Sequence, residues 1–173
     1  MERFEFINLE KKLKLYGELF VKKYQSLITE GKHVASGRLR DSTDYEVDVD
    51  NGKYSLKVIV GKYMDVIDEG ISNGKFPSRN SENPLMECLR VKGIKPYTRP
   101  RKSVTRETEI RNLAYVIGRS IKSKGTIKEY GYRGSDISKR VLESVRTNMD
   151  EDFANALDKD LEILAEKLIN NKK

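Results

Sequence analysis

The segment from Tyr45 to Val60 constrains the fold of this chain more tightly than any other. Tyr45, Val47 and Val49 alternate with Glu46, Asp48 and Asp50, and Tyr54, Leu56, Val58 and Val60 resume the alternation after Asn51-Gly52. Asn-Gly is the strongest two-residue hairpin signal, because a type I′ turn needs φ > 0 at both central positions. A two-residue loop also fixes the register. Val49 faces Tyr54, Val47 faces Leu56 and Tyr45 faces Val58 on one side of the ribbon. Glu46 then faces Lys57 and Asp50 faces Lys53 on the other, so opposite charges meet across the strands.

A two-stranded ribbon needs something to pack against, and the residues before it supply a helix. Leu9, Leu13, Tyr16, Phe20, Tyr24 and Leu27, with Ile28 beside the last, recur at helical spacing. Asn8 is placed to cap this helix and Gly31 to end it, while Lys11, Lys12, Lys22 and Lys23 fall off the apolar stripe. After the hairpin, Tyr63, Val66 and Ile67 are spaced as a short helix that Gly70 terminates. Residues 71–84 are rich in Asn, Ser, Gly and Pro and read as a loop. A short apolar helix follows from Leu85 through Val91.

Residues 92–106 carry two prolines, one tyrosine and six basic residues without periodicity, and read as an extended arm. Ile110, Leu113, Ala114, Ile117 and Ile121 make the next helical stripe, with Thr105 or Thr108 as cap and Gly125 as stop. Ser135 and Asp136 open a further helix through Ile137, Val141, Val145 and Met149. Phe153, Leu157, Leu161, Leu164 and Leu168 form the last stripe, and Asp150-Glu151-Asp152 at its start suits the positive end of a helix dipole. Asn170–Lys173 is expected to fray. The pattern predicts one α+β domain over 1–173: a long N-terminal helix packed on a small antiparallel β-sheet (the hairpin at 45–60), followed by C-terminal helices. Within it, 1–70 is the helix-plus-hairpin region, 71–106 the loop and basic arm, and 107–173 the helical C-terminal part.

Composition removes several function classes. Cys88 and His33 are the only residues of their kinds. Disulfide frameworks, multi-thiolate metal sites and His-pair metal sites are thereby excluded, and a reducing compartment is expected. No run approaches the roughly 20 apolar residues of a membrane span, and Met1-Glu-Arg-Phe-Glu lacks a signal peptide's apolar region. The formal charge of +7 is unevenly distributed: residues 1–40 carry +4, 41–85 carry −4, 86–140 carry +10 and 141–173 carry −3. Such asymmetry suits a surface that meets something anionic, and equally a solvated one.

The acids available to a catalytic metal do not converge. Glu46, Asp48 and Asp50 alternate with the apolar strand face and so point to solvent, leaving Asp65, Asp68 and Glu69 as a local cluster. His33 reads as a surface or capping residue, and Cys88, within Leu85-Met86-Glu87-Cys88-Leu89, as a small core residue. Gly131 and Gly134 flank Tyr132 and Arg133 without a preceding strand, so no nucleotide-binding glycine loop exists. The arm offers cations for phosphate and one stacking surface, in a pattern matching no base-reading motif. It therefore suits sequence-independent contact with a nucleic-acid backbone, docking on a protein partner, or a solvated loop.

The stretch His33-Val-Ala-Ser-Gly-Arg-Leu-Arg-Asp-Ser42 resembles a signature of the tail-completion, or head-to-tail connector, proteins of tailed bacteriophages. Those read Pro-Val-x-Thr-Gly-Arg-Leu-Arg-x-Ser after a long first helix. In that family a hairpin follows, then a Tyr-rich segment ending in an acid, any residue and Gly, for which this chain has Tyr63-Met-Asp-Val-Ile-Asp68-Glu-Gly70. The order matches over about the first 70 residues. His33 stands for the usual Pro, Ser36 for Thr, Glu69 for an aromatic and Ile71 for Thr, and the basic arm is longer.

The resemblance implies a virion neck protein, made in the host bacterial cytoplasm, that assembles as a sixfold or twelvefold ring. The ring would join the portal or an adaptor to tail proteins and line or seal the DNA channel, with no catalysis, no cofactor and no membrane. Subunit-interface residues would be Ser36, Gly37, Arg38, Arg40, Asp68 and Gly70. Gly37 would permit the tight turn, Ser36 would cap a short helix over Arg38–Ser42, and Leu39 would point inward while Arg38 and Arg40 project out. Arg90, Lys92, Lys95, Tyr97, Arg99, Arg101, Lys102 and Arg106 would contact channel DNA or a partner. The alternative function is a sequence-independent nucleic-acid-binding protein that uses the 90–106 arm.

Overall fold

A computed structural model of the chain describes residues 5–31, 33, 37–50, 52–61, 63–74, 84–94 and 105–170. In order, the elements are α1 (Ile7–Glu30), α2 (Arg38–Asp41), β1 (Asp44–Asp50), β2 (Lys53–Ile59), α3 (Met64–Glu69), α4 (Pro84–Val91), α5 (Arg106–Tyr130), α6 (Ile137–Arg146) and α7 (Met149–Asn170). The fold is the expected α+β arrangement, mostly helical, with a two-stranded antiparallel sheet against which the long first helix packs. Among the described residues no helix is long and apolar enough to cross a membrane. The chain divides into two compact units whose segments alternate along the sequence. Unit 1 comprises 1–28, 42–61 and 137–173, and unit 2 comprises 29–41 and 62–136.

Unit 1 is built on the hairpin and α1. The strands pair Asp44↔Ile59 through Asp50↔Lys53 in the register the Asn-Gly turn dictates, with Gly52 at φ +79°. One pairing differs from expectation: Lys57 bonds not Glu46 directly opposite but the diagonal Asp48, at 3.1 Å. A long side chain on a twisted ribbon reaches its diagonal neighbour as readily as its direct one. This hydrogen bond, more than the nearby charges, raises the Lys57 ammonium above its ordinary pKa. The apolar face of the ribbon meets α1 at Gly17, where a Cβ would lie 2.2 Å from the Tyr45 ring. Leu13, Tyr16, Phe20, Leu27 and Ile28 of α1 are buried, together with Ile137 and Val141 of α6 and Ala156 of α7.

The start of α1 departs from the expected cap. The helix opens at Ile7, so Asn8 lies inside the first turn and donates instead of accepting. Its backbone N–H and its amide both reach Asp160 Oδ1, at 3.0 and 2.8 Å, and the Leu9 N–H reaches Oδ2 at 2.9 Å. Phe6 N–H bonds the Tyr54 hydroxyl at 2.9 Å and Ile7 N–H bonds the Glu5 carbonyl at 3.1 Å, so the amides entering this turn are all satisfied. The capping carboxylate is only 1% exposed and comes from 152 residues away. Eight residues earlier on α7, Asp152 accepts from the Tyr16 hydroxyl at 2.7 Å and from Lys12 Nζ at 3.0 Å. Residues rising along α1 meet residues falling along α7, so the two helices run antiparallel.

Unit 2 has its own core. Met86 and Leu89 of α4 pack with Ile110 and Ala114 of α5, flanked by the half-buried Leu85, Leu113 and Ile117. Thr105 is the cap of α5: its hydroxyl accepts from Thr108 N–H at 3.3 Å and its carbonyl from Glu109 N–H at 3.1 Å. Gly125 breaks α5 with φ +74° and ψ 175°, at the position the sequence marks as its stop, and a helical segment resumes after it.

The last stripe lies mostly at the surface. Phe153 is half-buried, but Leu157, Leu161 and Leu168 of α7 lie 37%, 45% and 58% exposed. The side of α7 that is buried runs through Ala156 and Asp160 instead. Helical periodicity reveals that a stripe exists and not what covers it.

Candidate interface site

The acid-x-Gly segment sits at the centre of a backbone knot in unit 2. α3 ends where Gly70 turns to φ +76°, its N–H bonded to the Val66 carbonyl at 3.0 Å. The next residue clasps the break in α5: Ile71 N–H donates to Thr126 Oγ1 and Thr126 N–H to the Ile71 carbonyl, both at 2.9 Å. Gly74 N–H then donates to the Lys122 carbonyl beside the break, at 2.7 Å.

Side chains are excluded throughout this knot. A Cβ on Gly70 would stand 2.7 Å from Thr126 Oγ1, one on Gly125 would stand 2.7 Å from the Ile71 carbonyl, and one on Gly134 would stand 1.9 Å from the Asp68 carbonyl. All three glycines also have positive φ. The sequence pointed to Asp68 and Gly70 as interface residues. Within the chain, Gly70 packs against Thr126 and Tyr132, and the Asp68 carbonyl packs against Gly134.

His33 is wired into the same knot. Its Nε2 lies 2.8 Å from Ser135 Oγ, which lies 2.9 Å from the Tyr132 hydroxyl, which donates to the Ile67 carbonyl. A phenol has one proton, and Tyr132 has committed it to Ile67. Ser135 must therefore donate to Tyr132, and the imidazole must donate its Nε2 proton to Ser135. A nucleophilic serine needs the opposite, an imidazole that accepts. The pair has hydrogen-bond proximity with the polarity of a structural tie. Burial, followed by the Lys92 charge, lowers the His33 pKa, while Asp68 pulls it back up, and the net shift favours the neutral ring. Ser135 N–H also bonds the Ile67 carbonyl, at 3.0 Å.

The arginines of the turn take different positions. Gly37, buried with φ +82°, starts α2, and its carbonyl accepts from Asp41 N–H at 2.9 Å. Leu39 is half-buried. Arg40 folds back on Asp41 at 2.7 Å, a hydrogen bond that holds that carboxyl below the usual range and raises the guanidinium. Arg38 is 83% exposed and loosely paired with Glu87 of α4 at 3.7 Å. Of the two, Arg38 is the more exposed. Ser36 lies outside the described residues.

The candidate phosphate contacts divide similarly. Arg90 is paired with Glu107, joining the end of α4 to the start of α5. Lys92 and Arg106 are exposed, while Lys95, Tyr97, Arg99, Arg101 and Lys102 lie outside the described residues. The +10 of residues 86–140 lies on the helix beside the arm as well as on the arm itself. From Ile110 to Thr126 the chain holds Arg111, Arg119, Lys122 and Lys124 and no acid, a signal visible in the charge pattern alone. Tyr115 and Val116 are exposed among them. Among the described residues, no group of three His, Cys, Asp or Glu side chains is arranged to hold a metal ion. Comparison with known proteins finds nothing similar: no family model, no curated protein and no solved structure matches this chain.

Proposed function

We propose that this chain is a structural protein of a tailed-bacteriophage neck, a ring subunit that joins portal to tail around the DNA channel. One observation carries the reading: a long helix, a Ser-Gly-Arg-Leu-Arg turn, a hairpin and a short helix closed by acid-x-Gly follow one another in the order of the tail-completion proteins that the chain resembles. The exposed Arg38 beside the buried Gly37 supports it, because a ring needs heterologous contacts, in which one surface meets a different one on the next copy. The protein is then made in the host cytoplasm and incorporated into the virion, and it needs no cofactor.

Co-expression with a portal protein encoded beside it, followed by electron microscopy, is expected to show a sixfold or twelvefold ring stacked on the portal. A gene neighbourhood without portal, terminase and tail genes would overturn the reading. The rival, sequence-independent DNA binding by the 90–106 arm, is weakened by the pairing of Arg90 with Glu107. It predicts DNA retention whose log affinity falls by roughly 0.9 per phosphate contact for each tenfold rise in salt.

A further inference from the structure

The uncovered stripe of α7 has a shape and charge that select a partner. Leu157, Leu161, Leu164 and Leu168 are spaced 4, 3 and 4 apart, the seam of a helix that packs on another helix. Beside that seam runs a second row, Asp158, Glu162 and Glu166, stepping by four. Between Met149 and Asn170 there are seven acids and two lysines, so two copies of α7 laid together would repel. The partner should be a helix with exposed apolar side chains and excess positive charge.

α5 answers this description. Arg111, Tyr115 and Arg119 form a row stepping by four, with Val116 beside it, on its exposed side. Its two cations stand eight residues apart, as do Asp158 and Glu166, which is about 12 Å along either helix. Rows stepping by four interdigitate in the commonest mode of helix packing. α1 also exposes Leu15 and Leu19 among lysines, but Lys12 and Lys22 there are already paired with Asp152 and Glu18.

We infer that α7 of one copy docks on α5 of a second copy, its leucine seam over Tyr115 and Val116 and its acidic row against Arg111 and Arg119. The contact joins unlike surfaces and therefore propagates from copy to copy, closing a ring when the rotation permits. The inference rests on the ring reading for its occupant, a second copy of this chain, and deepens it by naming the two faces.

The test uses the full chain in two charge-swapped forms, Asp158→Arg/Glu166→Arg and Arg111→Glu/Arg119→Glu, followed by sedimentation at high concentration. The wild type is expected to self-associate. Each swapped form alone should associate roughly 5- to 30-fold more weakly, two reversed ion pairs being worth roughly 1–2 kcal/mol. An equimolar mixture should recover wild-type association, because each α7 then finds an α5 of opposite sign. That recovery also shows that both variants fold.

Swaps that leave association unchanged overturn the two faces while leaving the ring reading standing. Loss without recovery on mixing overturns the α7–α5 pairing in favour of another occupant. A swap at Arg111 and Arg119 that abolishes DNA retention and spares association assigns α5 to nucleic acid instead. A wild type that stays monomeric overturns the proposal, and the neck reading is then decided separately by co-assembly with the portal.

Discussion

Asp160 is a charged residue placed where a charge is ordinarily most costly, and the end of α1 accounts for it. Its two oxygens collect three N–H donors at the positive end of a 24-residue helix. Replacing it by Ala leaves those donors buried without partners, and should cost about 3 kcal/mol in urea unfolding. Asp160→Asn keeps one acceptor oxygen and should cost about half as much. Gly17 is decided by the opposite consideration, space. Gly17→Ala improves helix propensity by about 1 kcal/mol. The Tyr45 ring occupies the site of the new Cβ, so the variant should nevertheless be less stable, by about 1–3 kcal/mol. On a Tyr45→Ala background the sign should reverse, and the same substitution should stabilise. A variant that stabilises on both backgrounds would show that the ring does not resist it.

Elements are held here by polar contacts whose partners are distant in sequence, and this sets what could be read in advance. The hairpin was legible to the register, because alternation and the Asn-Gly turn are both local. The buried face of α1 was legible from its period. The cap of α1 was not, since its acceptor lies on α7, and neither were the three excluded Cβ positions around Gly70, which depend on pairs such as 71 with 126 and 68 with 134. Of the candidate site, the resemblance singled out Ser36, Gly37, Arg38, Arg40, Asp68 and Gly70 but not Thr126, Tyr132 or Ser135, whose hydrogen bonds form only once α5 bends.

The clasp between α1 and α7 can be tested at the same scale. Burial and the bond to Asp152 push the Tyr16 hydroxyl up to about 12, so it stays a donor. That bond, ahead of the one from Lys12, holds the Asp152 carboxyl below the usual range. In Tyr16→Phe the Asp152 pKa should rise toward its ordinary value, as followed by carboxyl NMR. An unchanged titration would assign the depression to Lys12 alone.

At the scale of the whole molecule the chain passes between its two units four times, at 28/29, 41/42, 61/62 and 136/137. Unit 1 therefore folds around two insertions, and when unit 2 melts these become slack loops whose closure entropy falls on unit 1. The units should lose stability together, not as independent domains. Gly134→Ala, far from the hairpin in sequence, places a Cβ against the Asp68 carbonyl at a positive φ and should destabilise unit 2 by at least about 2 kcal/mol. Amide exchange in β1 and β2 should then accelerate as well. Hairpin exchange that stays at the wild-type rate would show the units to be uncoupled.

The His33 tie gives the same coupling a pH dependence. Its lowered pKa means that the unfolded chain takes up the imidazole proton first, so stability is fully present above about pH 6.5 and falls as pH drops toward the folded-state value. A His33→Gln variant should flatten the wild-type slope in that window, and by the four crossings the flattening should register in hairpin exchange as well as in α5. An identical slope in wild type and variant would place the pH sensitivity on other groups and remove His33 from the knot's energetics.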